Sequence, residues 1–241
     1  NGSYSDDGYK YLKKKYSDII HKRIFPNKAC AGGNNVGIDY ASKNGFKYIW
    51  ILNNDVEIDP NCLREMVKVH ESSDDVGAIG SKYYDFKNKK MLMSIARKMN
   101  WSLGSLDRHM GEEEDVGQYN EVAEVEYVWG GSVLHDVKKL DEVGRYDERF
   151  FMYYEPLDVQ VNLRKKGYKI LIAPNAKIWH KGARSQSGRI VFDYYSTRNR
   201  MLLMKKHGTF FNKLTFYPYF FLLATPSNLI KRIAKGNFRS A

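Results

Sequence analysis

The sequence predicts an α/β protein with a mostly parallel sheet and helices on both faces. Three observations carry that expectation. Short apolar runs of strand length at 48–52, 76–82 and 168–173 alternate with stretches of helical spacing. The run Tyr48-Ile49-Trp50-Ile51-Leu52 is apolar throughout, as expected of a central strand buried on both faces. Pro60 follows a polar turn, in the place where proline opens a helix.

The bulk numbers agree. The chain has 241 residues, 43% hydrophobic and 28% charged, a globular composition that excludes disordered and fibrous classes. The net charge is +11, and from Ile178 onward Asp193 is the single acid among many lysines and arginines. That excess suits phosphate-bearing substrates or an anionic surface. No nucleic-acid motif accompanies it, so no nucleic-acid partner is expected. Cys30 and Cys62 stand in unrelated contexts and read as buried, reduced thiols, which favours a cytoplasmic setting. Residues 1–15 are polar and lysine-rich, unlike a signal peptide.

Along the chain, Ser5 or Asp6 is placed to cap a short helix through Lys15, and 19–25 reads as a strand. Residues 32–37 form a glycine- and asparagine-rich turn before a helix to about Asn44. Strand 48–52 ends in Asn53-Asn54-Asp55, and a helix runs from Pro60 through Glu71. Residues 87–124 read as an irregular loop region. Short strands at 125–129 and 131–135 flank a Gly-Gly turn, a helix covers 157–166, and the pattern at 192–207 is helical up to Gly208. These elements give a domain over 1–207 and a basic, aromatic helical extension over 208–241.

Ligands of open α/β sheets sit beyond the carboxyl ends of the strands, where Asn53-Asn54-Asp55 falls. Hard oxygen ligands there suit a divalent cation, although Asn and Asp are also ordinary turn residues. Glu155 and Asp158, three apart at a helix start, can share one face, or can simply complement the helix dipole. His180 closes the segment Ala176-Lys177-Ile178-Trp179-His180. A lone histidine is usually structural, and it becomes a metal ligand only if it meets Asp55 in space.

Taken in order, Asn34-Asn35-Val36-Gly37, Leu52-Asn53-Asn54-Asp55, Trp129-Gly130-Gly131, Val143-Gly144-Arg145-Tyr146-Asp147-Glu148, Phe151-Met152-Tyr153-Tyr154-Glu155, Lys166-Gly167-Tyr168 and Ile178-Trp179-His180 resemble glycosyltransferase family 2. The branch they most resemble is that of rhamnosyltransferases and related polysaccharide-building enzymes, in which Tyr194-Tyr195 with Arg198-Asn199 also has a counterpart. The resemblance implies a GT-A fold and an inverting transferase. The donor would be a UDP- or dTDP-sugar, dTDP-rhamnose among them, and the cofactor Mg2+ or Mn2+. The acceptor would be a glycan or a lipid-linked sugar.

By position, Asp55 matches the last acid of the family's metal-binding element, Asn53 stands where its first acid usually is, and His180 matches a histidine that completes the metal site. Gly33, Asn34 and Asn35 resemble the segment beside base and ribose, with Asn53 and Asn54 also on the nucleotide-sugar side. Trp129, Gly130 and Gly131 resemble the floor of the donor-sugar and acceptor pocket. The family usually has Glu-Asp-x-Asp where this chain has Glu155-Pro156-Leu157-Asp158. Pro156 cannot accept a proton, which leaves Glu155 or Asp158 as the catalytic base, or a descendant that binds a sugar nucleotide or partner without turnover. Asn1-Gly2-Ser3 resembles the end of a turn that in the family follows a strand, a helix and a second strand, so the domain is expected to lack its first strands.

The stretch 210–223 is apolar and aromatic, followed by Lys231, Arg232, Lys235 and Arg239. It is too short to span a bilayer. An interfacial segment on the inner face of the membrane fits it, as does a packed hairpin or a homo-oligomer contact through the C-terminal helices.

Overall fold

The computed structural model describes residues 6–182, 188–227 and 230. In chain order the elements are α1 (Asp6–Lys15), α2 (Ala29–Lys43), β1 (Tyr48–Leu52), β2 (Val56–Ile58), α3 (Cys62–His70), β3 (Val76–Asp85), β4 (Met91–Asn100), β5 (Ser105–Glu114), β6 (Ala123–Glu124), β7 (Tyr127–Val128), β8 (Ser132–Asp136), α4 (Val137–Glu142), α5 (Glu155–Lys165), β9 (Lys169–His180), α6 (Gly188–His207) and α7 (Phe210–Tyr219). The α/β class is as expected. Strand direction is more mixed: β3 and β9 run parallel, while the other described pairings are antiparallel, along the order β1-β8-β3-β4-β5.

Period-two alternation makes the sheet two-faced. Leu134 and Leu171 join Ile79 against Cys62, Met66 and Val69 of α3. Their neighbours Val133, Ile170 and Ile172 join Ala78 against Leu163 of α5 on the other face. Each such fully buried aliphatic or Met side chain contributes about 1.5–3 kcal/mol relative to exposure.

Several local expectations are corrected. Residues 19–25 form no strand; Ile19, Ile20 and Phe25 are exposed, and no described strand lies beside them to complete a ladder. Residues 32–37 lie inside α2 rather than in a turn. Tertiary contact overrides glycine's weak propensity here, because Ala31 and Ile38 pack on Leu140, Tyr146 and Val159. β1 is only half-buried and ends the strand order, so its apolar run reflects cover by α2 through Ile49 rather than a central position. The region 87–124 holds the long β4–β5 hairpin. Its alternation is masked because Leu92, Ile95 and Ala96 pack inward beside a register shift near Ser94. Cys62 is buried as expected, whereas Cys30 is exposed, and both are free thiols.

α7 and the turn after it pack back through Phe216 and Phe220, which meet Met204 and Trp101. Gly104, in the β4–β5 turn at φ +64, makes room for the Phe216 ring: a Cβ there would lie 2.4 Å from it. Pro218 removes one helical N–H, and the chain widens into a π-helical turn at Phe220–Ala224.

Candidate active site

Two strand ends build the first half of the site. Asn53, directly after β1, donates its N–H to the Gly131 carbonyl at 2.9 Å. β2 then pairs antiparallel with the end of β9, opposing Val56 to His180, and the Lys181 N–H reaches the Asp55 carbonyl at 2.9 Å. This register leaves His180 Nε2 3.2 Å from Asp55 Oδ2, with the carboxylate side chain 39% exposed and the imidazole 14%. The two residues that lie 125 positions apart in sequence are therefore neighbours.

Tyr83 completes this cluster and was not singled out from the sequence. Its ring lies 5.3 Å from that of His180, and its hydroxyl is buried without a partner, as is His180 Nδ1. Burial first, then the Asp55 charge, pushes the phenol above its ordinary value. The signal that could have found it is position: Tyr83 lies near the carboxyl end of β3, where the ligand rule applies.

The two glycines join this cluster to the second half. A Cβ on Gly131 would sit 2.1 Å from the Tyr83 hydroxyl and 3.0 Å from Asn53 Nδ2; one on Gly130 would sit 2.4 Å from Pro156 Cγ. Trp129 beside them is 40% exposed, with the Arg97 guanidinium 5.8 Å over its ring.

The second half is the start of α5. Phe151, Tyr153 and Tyr154 all adopt positive φ, at 64°, 65° and 71°. Such strain costs on the order of 1–3 kcal/mol per residue and gathers at functional sites. The loop delivers Glu155 to an interior position, 4% exposed, with Oε2 lacking a partner. Desolvation raises its carboxyl to about 7. Pro156 occupies the first turn of α5, where a missing N–H does no harm.

Asp158 does not share this environment. Its Oδ1 accepts from His207 Nε2 at 2.7 Å and its Oδ2 from Lys206 Nζ at 2.8 Å, fully buried, so the carboxylate ties α5 to α6. The two carboxylates that could share one face thus differ in their surroundings: Asp158 is engaged by α6, whereas Glu155 Oε2 has no hydrogen-bond partner. Gly33, Asn34 and Asn35, expected in a nucleotide-binding turn, sit on α2. Asn35 is engaged with Tyr146, donating to its carbonyl at 2.8 Å and accepting from its N–H at 3.1 Å, so it holds the segment before α5. Asn53 and Asn54 are exposed beside Asp55.

The residues present fit a divalent cation of the kind bound partly by its substrate. Among the described residues no three His, Cys, Asp or Glu converge. Asp55 and His180 do converge, and the Asn53 amide lies against Gly131 next to the Tyr83 hydroxyl. One or two protein ligands completed by phosphate oxygens is a usual arrangement for Mg2+.

A mixed sheet covered by helices, with an acid at one strand end and a buried carboxylate at a helix start, has the GT-A fold. The family model described as Glycosyl transferase family 2 matches residues 1–113. The chain is 26% identical over 160 residues to the low-salt glycan biosynthesis hexosyltransferase Agl10 of Haloferax volcanii, covering 64% of this chain and 49% of that protein. It superposes on a crystal structure of GalNAc-T7 with UDP, GalNAc and Mn2+ at a TM-score of 0.61 and 14% identity, over 83% of this chain and 38% of that one. The chain thus spans about half the length of the hexosyltransferase it matches and a smaller share of GalNAc-T7. Its first 113 residues are thus similar to glycosyltransferase family 2.

Proposed function

We propose that this chain transfers a sugar from a UDP- or dTDP-sugar to a hydroxyl of a glycan or lipid-linked acceptor, with inversion. The observation that supports it most is Glu155. A base that must take a proton near neutral pH works best with a pKa near that pH, and desolvation supplies it here. Asp55 and His180 would hold a Mg2+ or Mn2+, which neutralises charge on the departing diphosphate. Tyr83 and Asn53 line the same cluster, and Trp129, Gly130 and Gly131 would floor the sugar pocket. dTDP-rhamnose remains a donor to test, on the resemblance alone. The reading without turnover, prompted by Pro156, is weakened by the buried carboxylate immediately before it, one oxygen of which lacks a partner.

Release of UDP or dTDP from a panel of nucleotide sugars, with and without Mn2+, tests the proposal. Metal-dependent release that disappears in Glu155→Gln, with UDP–Mn2+ binding retained, is the expected result. Binding without release by the wild-type chain for every donor and acceptor tried would favour the non-catalytic reading.

We also propose that 208–241 is an appendage of the 1–207 domain that meets an anionic membrane surface. No helix among the described residues is long and apolar enough to cross a membrane. Phe210, Phe211, Leu214, Leu222 and Leu223 are exposed, and Lys213 stands among them. Aromatics with flanking cations suit the headgroup boundary.

A further inference from the structure

α6 reaches the loop before Glu155 through two adjacent side chains. Asn199 is fully buried, and its Nδ2 lies 2.9 Å from the Phe150 carbonyl oxygen, 2.8 Å from that of Met152 and 2.6 Å from that of Tyr153. Its Oδ1 accepts from Arg198 Nε at 3.0 Å. Arg198 Nη2 donates to the carbonyls of Arg149 and Phe150. Rings reinforce the grip: Phe151 stacks on Tyr195 at 5.1 Å, and Tyr153 meets Phe192 edge-on at 5.0 Å.

We infer that Asn199, assisted by Arg198, is a positioning residue that holds the 150–154 loop in its left-handed form and so sets the buried placement of Glu155. This rests on the reading of Glu155 as the base. Three carbonyl oxygens converge on one point, which calls for a group with more than one N–H. A primary amide meets that need; a carboxylate would repel the oxygens, and a hydroxyl has one proton to offer. The left-handed residues need an external restraint, because none of them is a glycine that would adopt positive φ freely.

Attachment of α6 does not depend on this contact. Leu203 packs on the cluster of Phe150 and Leu157, and Lys206 and His207 bind Asp158 from the far end of the helix. Losing the Asn199 amide would therefore release the loop while the helix stays docked. The titratable groups whose fields reach Glu155 are Cys30 from α2, Tyr127 from β7, Tyr146 and Tyr153. None carries a charge at neutral pH, so burial, which the loop enforces, governs the carboxyl.

The experiment compares wild type, Asn199→Ala, Arg198→Ala and Glu155→Gln in the full chain. Amide hydrogen exchange should rise at least tenfold at residues 149–155 in Asn199→Ala, less in Arg198→Ala, and stay unchanged in β3 and β9. Release of UDP from UDP-glucose with Mn2+ should fall roughly a hundredfold in kcat with KM for the donor within about twofold, since a small misplacement of a reacting group costs that much. The acidic limb of the pH profile should also shift downward. Unchanged exchange at 149–155 overturns the inference, as does a uniform rise across the sheet, which would mark a general stability role. If Asn199→Ala does not fold, the exchange result for Arg198→Ala decides. An active Glu155→Gln sinks the base assignment, whereas an inactive Glu155→Gln beside a fully active Asn199→Ala sinks the clamp alone.

Discussion

Asp55 and His180 stand at the open ends of β1 and β9, partly solvated and held by ordinary strand register. Glu155 stands at the end of a strained loop, sealed from water and without a partner for one oxygen. The difference matches the two tasks proposed. A cation and a diphosphate need hard ligands that solvent and substrate can reach. A base needs a carboxylate whose charged form is disfavoured until the pH is near neutral, which requires desolvation. Register is sufficient to place the first; the second needs a restraint from a helix distant in sequence.

The comparison can be broken at its metal end first. Asp55→Ala should lower metal-dependent release of nucleoside diphosphate on the order of a thousandfold, since a bound cation supplies several kcal/mol of charge stabilisation. Melting temperature should stay nearly unchanged, because the side chain is a partly exposed loop carboxylate. Calorimetry with UDP and Mn2+ showing undiminished affinity would refute the assignment.

At the other end, Glu155→Gln should cost about 10²–10⁴ in turnover, the usual contribution of a positioned base, with UDP–Mn2+ affinity intact. The wild-type rate should rise with pH through about 7, where the carboxyl loses its proton. A flat profile between pH 5.5 and 8.5 would contradict the role.

Stability should show the same contrast with the opposite sign. The folded pKa of Glu155 lies above its unfolded value, from 4.5 to about 7. The neutral carboxyl is accommodated at low pH, and stability is lost as pH rises from 4.5 through 7. The full span corresponds to on the order of 3 kcal/mol. Glu155→Gln should thus melt higher than wild type at pH 8 and show little advantage at pH 4.5. Equal differences at both pH values would mean that the carboxyl is not desolvated.

Gly131→Ala sharpens the boundary between the halves. A methyl 2.1 Å from the Tyr83 hydroxyl must displace it, at about 1–3 kcal/mol. The same change should weaken UDP–Mn2+ binding by moving Tyr83 and Asn53; Tyr83→Phe, which leaves the backbone alone, should have a smaller effect on melting. The smallest effect expected is at the appendage, where Leu214→Glu should reduce sedimentation with anionic liposomes severalfold and leave donor turnover alone. Liposome binding unaltered by that change would remove the membrane proposal.

Composition, the apolar strand cores and the ordered motifs sufficed for the α/β class and for the resemblance to glycosyltransferase family 2, because a buried strand and a strand-end acid leave local signatures. The helix after Pro60 was legible in that way, and Asp55 and His180 were read there as a pair that the fold brings together. Other features had no local signature. The β4–β5 hairpin hides its alternation at a register shift, and the glycine-rich start of α2 is helical because Ala31 and Ile38 find a core. Asp158 and Glu155 are indistinguishable three residues apart on paper. Only folding gives one of them Lys206 and His207 and leaves the other dry. Residue type and spacing fix which groups a chain can offer. Which carboxylate is neutralised by a partner, and which is stripped of water, depends on what α6 brings across nearly fifty residues of chain, and that is decided only when the helix docks.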